Sequence, residues 1–112
     1  MDQTSKKIII PERRFKQRIK CAYPAIVHGR SSNGKKFEEN ATVLNLSSIG
    51  AYVLLNRSIE VGQELAVRIA FPTGSLEMGT SKLATSAIVV RTEIYSQGVL
   101  GVGIRFQRYR FL

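Results

Sequence analysis

Strict alternation of apolar with other residues, repeated in several short stretches, is the feature that most limits what this chain can become. Leu65, Val67, Ile69 and Phe71 alternate with Ala66, Arg68 and Ala70, the period of two expected of a strand with one buried face. Leu100, Val102, Ile104 and Phe106 share a face opposite Gly101, Gly103 and Arg105. Ala84 to Tyr95 reads as a longer strand with Ile88, Val90, Thr92 and Ile94 on one face, followed by a Ser96-Gln97-Gly98 hairpin turn. Less regular β stretches cover Lys20 to His28, where Pro24 marks an edge or a bulge, Phe37 to Leu46, and Ala51 to Asn56. About six strands at short spacing, with no long helical pattern, predict an all-β domain closed as a small barrel or packed as a sandwich.

The chain has 112 residues, enough for one domain and too few for two. Residues 1–19 read as a flexible, polar N-terminal segment with one apolar tripeptide, Ile8-Ile9-Ile10, and residues 20–112 as the β domain. That tripeptide is too short for a signal sequence or a membrane span. The single cysteine, Cys21, has no disulfide partner, and with one histidine, His28, it cannot begin a zinc site. A reducing, cytoplasmic setting is expected. The net charge of +9 favours a polyanionic partner, although a basic balance also serves solubility alone.

Catalytic constellations are missing. Cys21 and His28 fall on opposite faces of their strand. Glu38 and Glu39 are adjacent and so also diverge, and neither a metal spacing nor a phosphate loop is present. An enzyme is not expected, nor is a metal.

Two stretches remain. Glu12-Arg13-Arg14-Phe15-Lys16-Gln17-Arg18 concentrates cations just before the first strand. Pro11 and Glu12 suit the first turn of a short helix, in which Arg14 and Arg18 lie side by side. Like charges at that spacing cost an isolated helix about 0.2–0.5 kcal/mol, so local stability is not what the pattern serves. Two cations held together suit an anion placed between them. The second stretch is Asn45-Leu46-Ser47-Ser48-Ile49-Gly50. Asn and Ser shape turns, and Gly permits a positive φ or a close approach to the backbone. Taken alone it is an ordinary β-turn.

Taken together, Arg-x-x-x-Arg at Arg14 and Arg18, followed by Asn-x-Ser-x-x-Gly at Asn45, Ser47 and Gly50, resembles the PilZ domain family. The run Gly101-Val102-Gly103-Ile104-Arg105-Phe106 is similar to that family's last barrel strand, and the resemblance extends over about residues 12 to 106. It implies a six-stranded antiparallel β-barrel of split-barrel type and a receptor or adaptor for cyclic di-GMP, a ligand rather than a cofactor. The site residues it implies are Arg13, Arg14, Arg18, Asn45, Ser47 and Gly50.

The chemistry is consistent with that ligand. An arginine fork can hold phosphate oxygens, grip the O6/N7 edge of guanine, or stack on its face. Asn45 and Ser47 offer acceptors to guanine N1–H and N2–H, and Gly50 keeps the wall clear. Asn in place of Asp at position 45 lacks an ionic acceptor, which is worth about 1 kcal/mol more than a neutral one. Lys16 has a secondary electrostatic role. Arg13 occupies the position that in the family bears on whether one ligand or a self-intercalated pair is bound, and the paired form is expected here.

The implied mechanism is a clamp in which the ligand bridges the arginine segment to the turn and alters contact with a protein effector. Ordering such a segment draws about 2–5 kcal/mol from the interaction. The protein is expected to be a monomer or a ligand-dependent dimer without a membrane span. Many members add a C-terminal helix, whereas Gln107 to Leu112 is too short for more than about a turn, leaving Tyr109 and Phe111 for a partner interface or a frayed end. The competing readings are a basic barrel for single-stranded nucleic acid, disfavoured because the aromatics occupy core positions, and a ligand-free PilZ-like interaction module.

Overall fold

A computed structural model describes residues 19–72 and 80–112 of the chain. Every regular element among them is a strand: β1 (Ile19–Arg30), β2 (Lys36–Leu46), β3 (Gly50–Leu55), β4 (Glu64–Pro72), β5 (Thr80–Ser96) and β6 (Val99–Phe111). They close into an antiparallel barrel in the order β1-β2-β3-β6-β5-β4. This settles the choice between barrel and sandwich.

The alternation builds the interior. Val27, Val43, Val53, Val67, Ile69, Val89 and Val102 are all at 0–1% exposure, and full burial of an aliphatic side chain contributes about 1.5–3 kcal/mol. Leu46, Ala51, Leu55, Leu65, Leu83, Ala87 and Ile104 are in the same core cluster, with Ala25, Ile59 and Phe71. On β5 the core takes Leu83, Ala87 and Val89, whereas Val90 and Ile94 face outward at 43% and 83% exposure. A register shift between Val89 and Arg91 accompanies this change of facing.

A second irregularity lies near the start of β1, where the pairing jumps from Lys20↔Asn45 to Tyr23↔Val43. The β2–β3 ladder skips at the same place, from Val43↔Val53 to Asn45↔Tyr52. Bulges re-aim side chains, and this one leaves Val43 inside while Asn45 is partly exposed. Pro24 itself pairs in register with Thr42, so the irregularity precedes the proline.

Both β5 and β6 are longer than their alternating cores. Leu83 pairs with Phe111, so Gln107 to Phe111 continue as strand rather than as a turn. The extension carries Phe111 to Phe71, with ring centroids 6.0 Å apart, and Phe71 to Tyr23 is 6.1 Å. Tyr109 extends the chain of rings to Phe106. Such edge and tilted contacts add to simple burial. They cover the barrel end where β1 begins and the β2–β3 turn lies. The β4–β5 connection, residues 73–79, is outside the described residues, as is the segment 1–18.

Candidate ligand-binding cleft

The β2–β3 turn is held by its own side chain. Ser47 N–H donates to the Gly50 carbonyl at 2.9 Å. The Ser47 hydroxyl accepts from Ile49 N–H at 3.2 Å and donates to the Gly50 carbonyl at 3.4 Å. Phe106 N–H donates to the Ile49 carbonyl at 2.8 Å, tying the turn to β6. Ser47 is 5% exposed, and one acceptor position of its hydroxyl is left over. Its first task is therefore to shape the turn.

Gly50 is required by packing. A Cβ there would stand 2.1 Å from the Ile104 carbonyl oxygen, well inside contact distance. Its φ is not among the positive ones. Of the two reasons for a glycine at this position, close approach of backbone is the operative one.

Beside the turn is a cleft of about 260 Å³ lined by Asn45, Ser47, Gly50, Tyr52, Arg91 and Arg105, among others. Its floor follows one line across the sheet. Lys20, Asn45, Tyr52, Gly103 and Arg91 are successive cross-strand partners on β1, β2, β3, β6 and β5. Directly opposed residues share a face, so this row lies on the barrel's outer surface. Tyr52 is 7% exposed yet outside the interior cluster. It is covered from without.

Two glycines make that cover possible. A Cβ on Gly101 would fall 1.8 Å from the Tyr52 hydroxyl. A Cβ on Gly103 would fall 3.0 Å from Arg91 Cγ. The Tyr52 side chain thus lies over Gly101 and donates to Glu93 Oε2 at 2.6 Å. Burial, then the hydrogen bond and charge of Glu93, push the phenol up to about 12, against a smaller opposing effect of the Arg91 cation. The Arg91 guanidinium carbon sits 5.5 Å from the Tyr52 ring centroid, within cation–π range. No carboxylate is among the described residues that line the cleft.

Asn45, Ser47 and Gly50 are thus brought together as the sequence predicts. Arg13, Arg14, Arg18 and Lys16 lie outside the described residues, but chain connectivity puts Arg18 two residues before Lys20, the partner of Asn45. Sequence reasoning missed Tyr52, Arg91 and Arg105. The signal available was the Gly101-x-Gly103 spacing, which marks strand positions where other side chains cross.

Comparison with known proteins bears directly on this arrangement. A model of the PilZ domain matches residues 12–110. The chain belongs to the PilZ family. That family comprises receptors for cyclic di-GMP, and the closed six-stranded barrel is consistent with it. No match is found among curated proteins. Among the described residues no group of three or more His, Cys, Asp or Glu is gathered for a metal, and no helix is long and apolar enough to cross a membrane. The PilZ match is continuous over both the arginine stretch and the Asn45–Gly50 turn.

Proposed function

We propose that this domain is a cyclic di-GMP receptor acting as an adaptor. Arg13, Arg14 and Arg18 engage the ligand from one side, and the turn bearing Asn45, Ser47 and Gly50 receives it on the other. The observation that carries this reading is the PilZ match over residues 12–110, which includes both halves of the clamp. The cleft supports it. At about 260 Å³ it falls below the roughly 300–1,000 Å³ that encloses a drug-sized ligand, as befits one wall of a two-part site. Its cationic, carboxylate-free lining suits a diester with two negative charges. Binding brings the arginine segment onto the barrel and changes the surface offered to a protein effector, in bacterial cytoplasmic signalling without chemistry on the ligand.

Isothermal titration with cyclic di-GMP tests the proposal. Wild type is expected to bind at micromolar or tighter concentration, and Arg14→Ala and Arg18→Ala to lose binding. Asn45→Asp is expected to retain or improve affinity, because an ionic acceptor strengthens a hydrogen bond by about 1 kcal/mol. Absence of heat with wild type, or undiminished binding by Arg14→Ala, overturns the reading.

A further inference from the structure

The motif residues do not account for the far wall of the cleft. Arg91 forms it, and its placement is built by three separate features. Its cross-strand partner is Gly103, whose missing side chain lets the Arg91 stem lie across β6. Its guanidinium stands over the ring of Tyr52. That ring is in turn fixed by the 2.6 Å bond from its hydroxyl to Glu93. Among the described residues, no hydrogen bond or ion pair engages the guanidinium, although a fork of five N–H donors usually finds partners.

The direction of the side chain decides what it can reach. Asn45 and Arg91 are three strand spacings apart along one row, on the order of 14 Å between backbones. The Arg91 stem runs back over Gly103 towards Tyr52, the immediate neighbour of Asn45. The guanidinium and the amide of Asn45 thus line the same cleft. A guanine whose N1–H and N2–H donors meet Asn45 leaves the acceptors of its O6/N7 edge free for another donor lining the cleft, and Arg91 is one. Two acceptors on that edge match the two prongs of an arginine. Adenine presents a donor in place of O6 and would set donor against donor.

We infer that Arg91 is a ligand-binding residue of this domain, contacting the O6/N7 edge of the guanine seated at Asn45 and favouring guanine over adenine. Tyr52, Gly103 and Glu93 are the residues that position it. This inference rests on the cyclic di-GMP reading above and adds a contact supplied by the barrel itself.

The test is titration of cyclic di-GMP into wild type, Arg91→Ala and Arg91→Lys, at low and at high salt, with thermal unfolding of each variant. Arg91→Ala is expected to weaken binding about tenfold or more, the loss of a hydrogen bond to a charged donor, with only a small fall in melting temperature, since Arg91 is an exposed residue whose stacking on Tyr52 is lost. Lysine keeps the charge and loses the fork, so Arg91→Lys is expected to stay nearer the alanine variant than wild type at both salt concentrations. If wild type binds and Arg91→Ala binds within twofold of it, the inference fails while the receptor reading stands. Full recovery by Arg91→Lys shows charge without edge recognition and overturns it as well. If wild type does not bind, both fall.

Discussion

Both ends of this barrel carry arginines and use them in opposite ways. At the end away from the motif turn, Arg57 is paired with Glu39 at 2.9 Å and stands 3.9 Å over the Phe37 ring. Arg30 donates to the Gly34 carbonyl at 3.0 Å, and His28 meets Glu38 at 3.1 Å. At the motif end, Arg91 and Arg105 line a cleft with no carboxylate partner among the described residues. The hollows at the far end are larger, about 580 and 570 Å³, yet the arginines there, Arg30 and Arg57, are already committed to the fold. Volume alone favours that end. The site proposed above rests instead on donors without a partner among the described residues, beside a hydrogen-bonded turn.

The glycines repeat the contrast, and substituting them gives the largest expected effects. Gly50 admits the Ile104 carbonyl at a distance no Cβ can tolerate, and backbone cannot step aside as a side chain does. Gly50→Ala is expected to destabilise the domain by about 3 kcal/mol, the upper end of overpacking. Gly98, in the β5–β6 hairpin turn, has a φ of 78° and nothing within 4 Å of a built Cβ. Gly98→Ala bears only the left-handed backbone cost, about 1–2 kcal/mol. Urea unfolding of both variants makes the comparison. Equal losses would remove the distinction between a glycine needed for contact and one needed for conformation.

A smaller effect should appear at high pH. The Tyr52 phenol is raised from 10.0 to about 12 in the folded state by burial and by Glu93. Between these values the folded chain holds a proton that the unfolded chain has released, so stability falls as pH rises. The contribution is fully present below about pH 10 and is lost as pH passes through about 12. Tyr52→Phe is expected to flatten the stability curve across that window and to remove the latest-titrating step from the tyrosinate absorbance curve. Loss of an ordinary step near 10, with the latest one retained, would mean that the Tyr52 phenol is not held up.

Much of this was legible in the sequence because a period of two is a direct record of burial. The apolar positions of Leu65 to Phe71, with Val102 and Ile104, read straight into core positions, and Leu100 packs against them partly buried. The Asn45–Gly50 turn was legible as a turn, because Asn, Ser and Gly each have a local reason to be there. What escaped were features set by neighbours across the sheet. Nothing local says that Leu44 lies at a bulge, or that β5 turns the face of Leu83, Ala87 and Val89 inward rather than that of Ile88 and Val90. Ser47 and Gly50 read as site residues from the motif alone; only the structure adds that Ser47 closes the turn and Gly50 lets β3 meet Ile104. Arg91 is forty-one residues beyond Gly50 in the chain, and only the register through Gly103 brings it to Asn45 and Tyr52.

Backbone amide NMR shifts during titration with cyclic di-GMP test the central claim most directly, because they report both ends of the barrel at once. The account predicts perturbations at Asn45 to Gly50, at Tyr52, Arg91 and Gly103, and at Lys20, with Gly34, Gly62 and Gly98 unmoved. Perturbations centred on the larger hollows near Arg30, Phe37 and Arg57, with a silent Asn45–Gly50 turn, would contradict it.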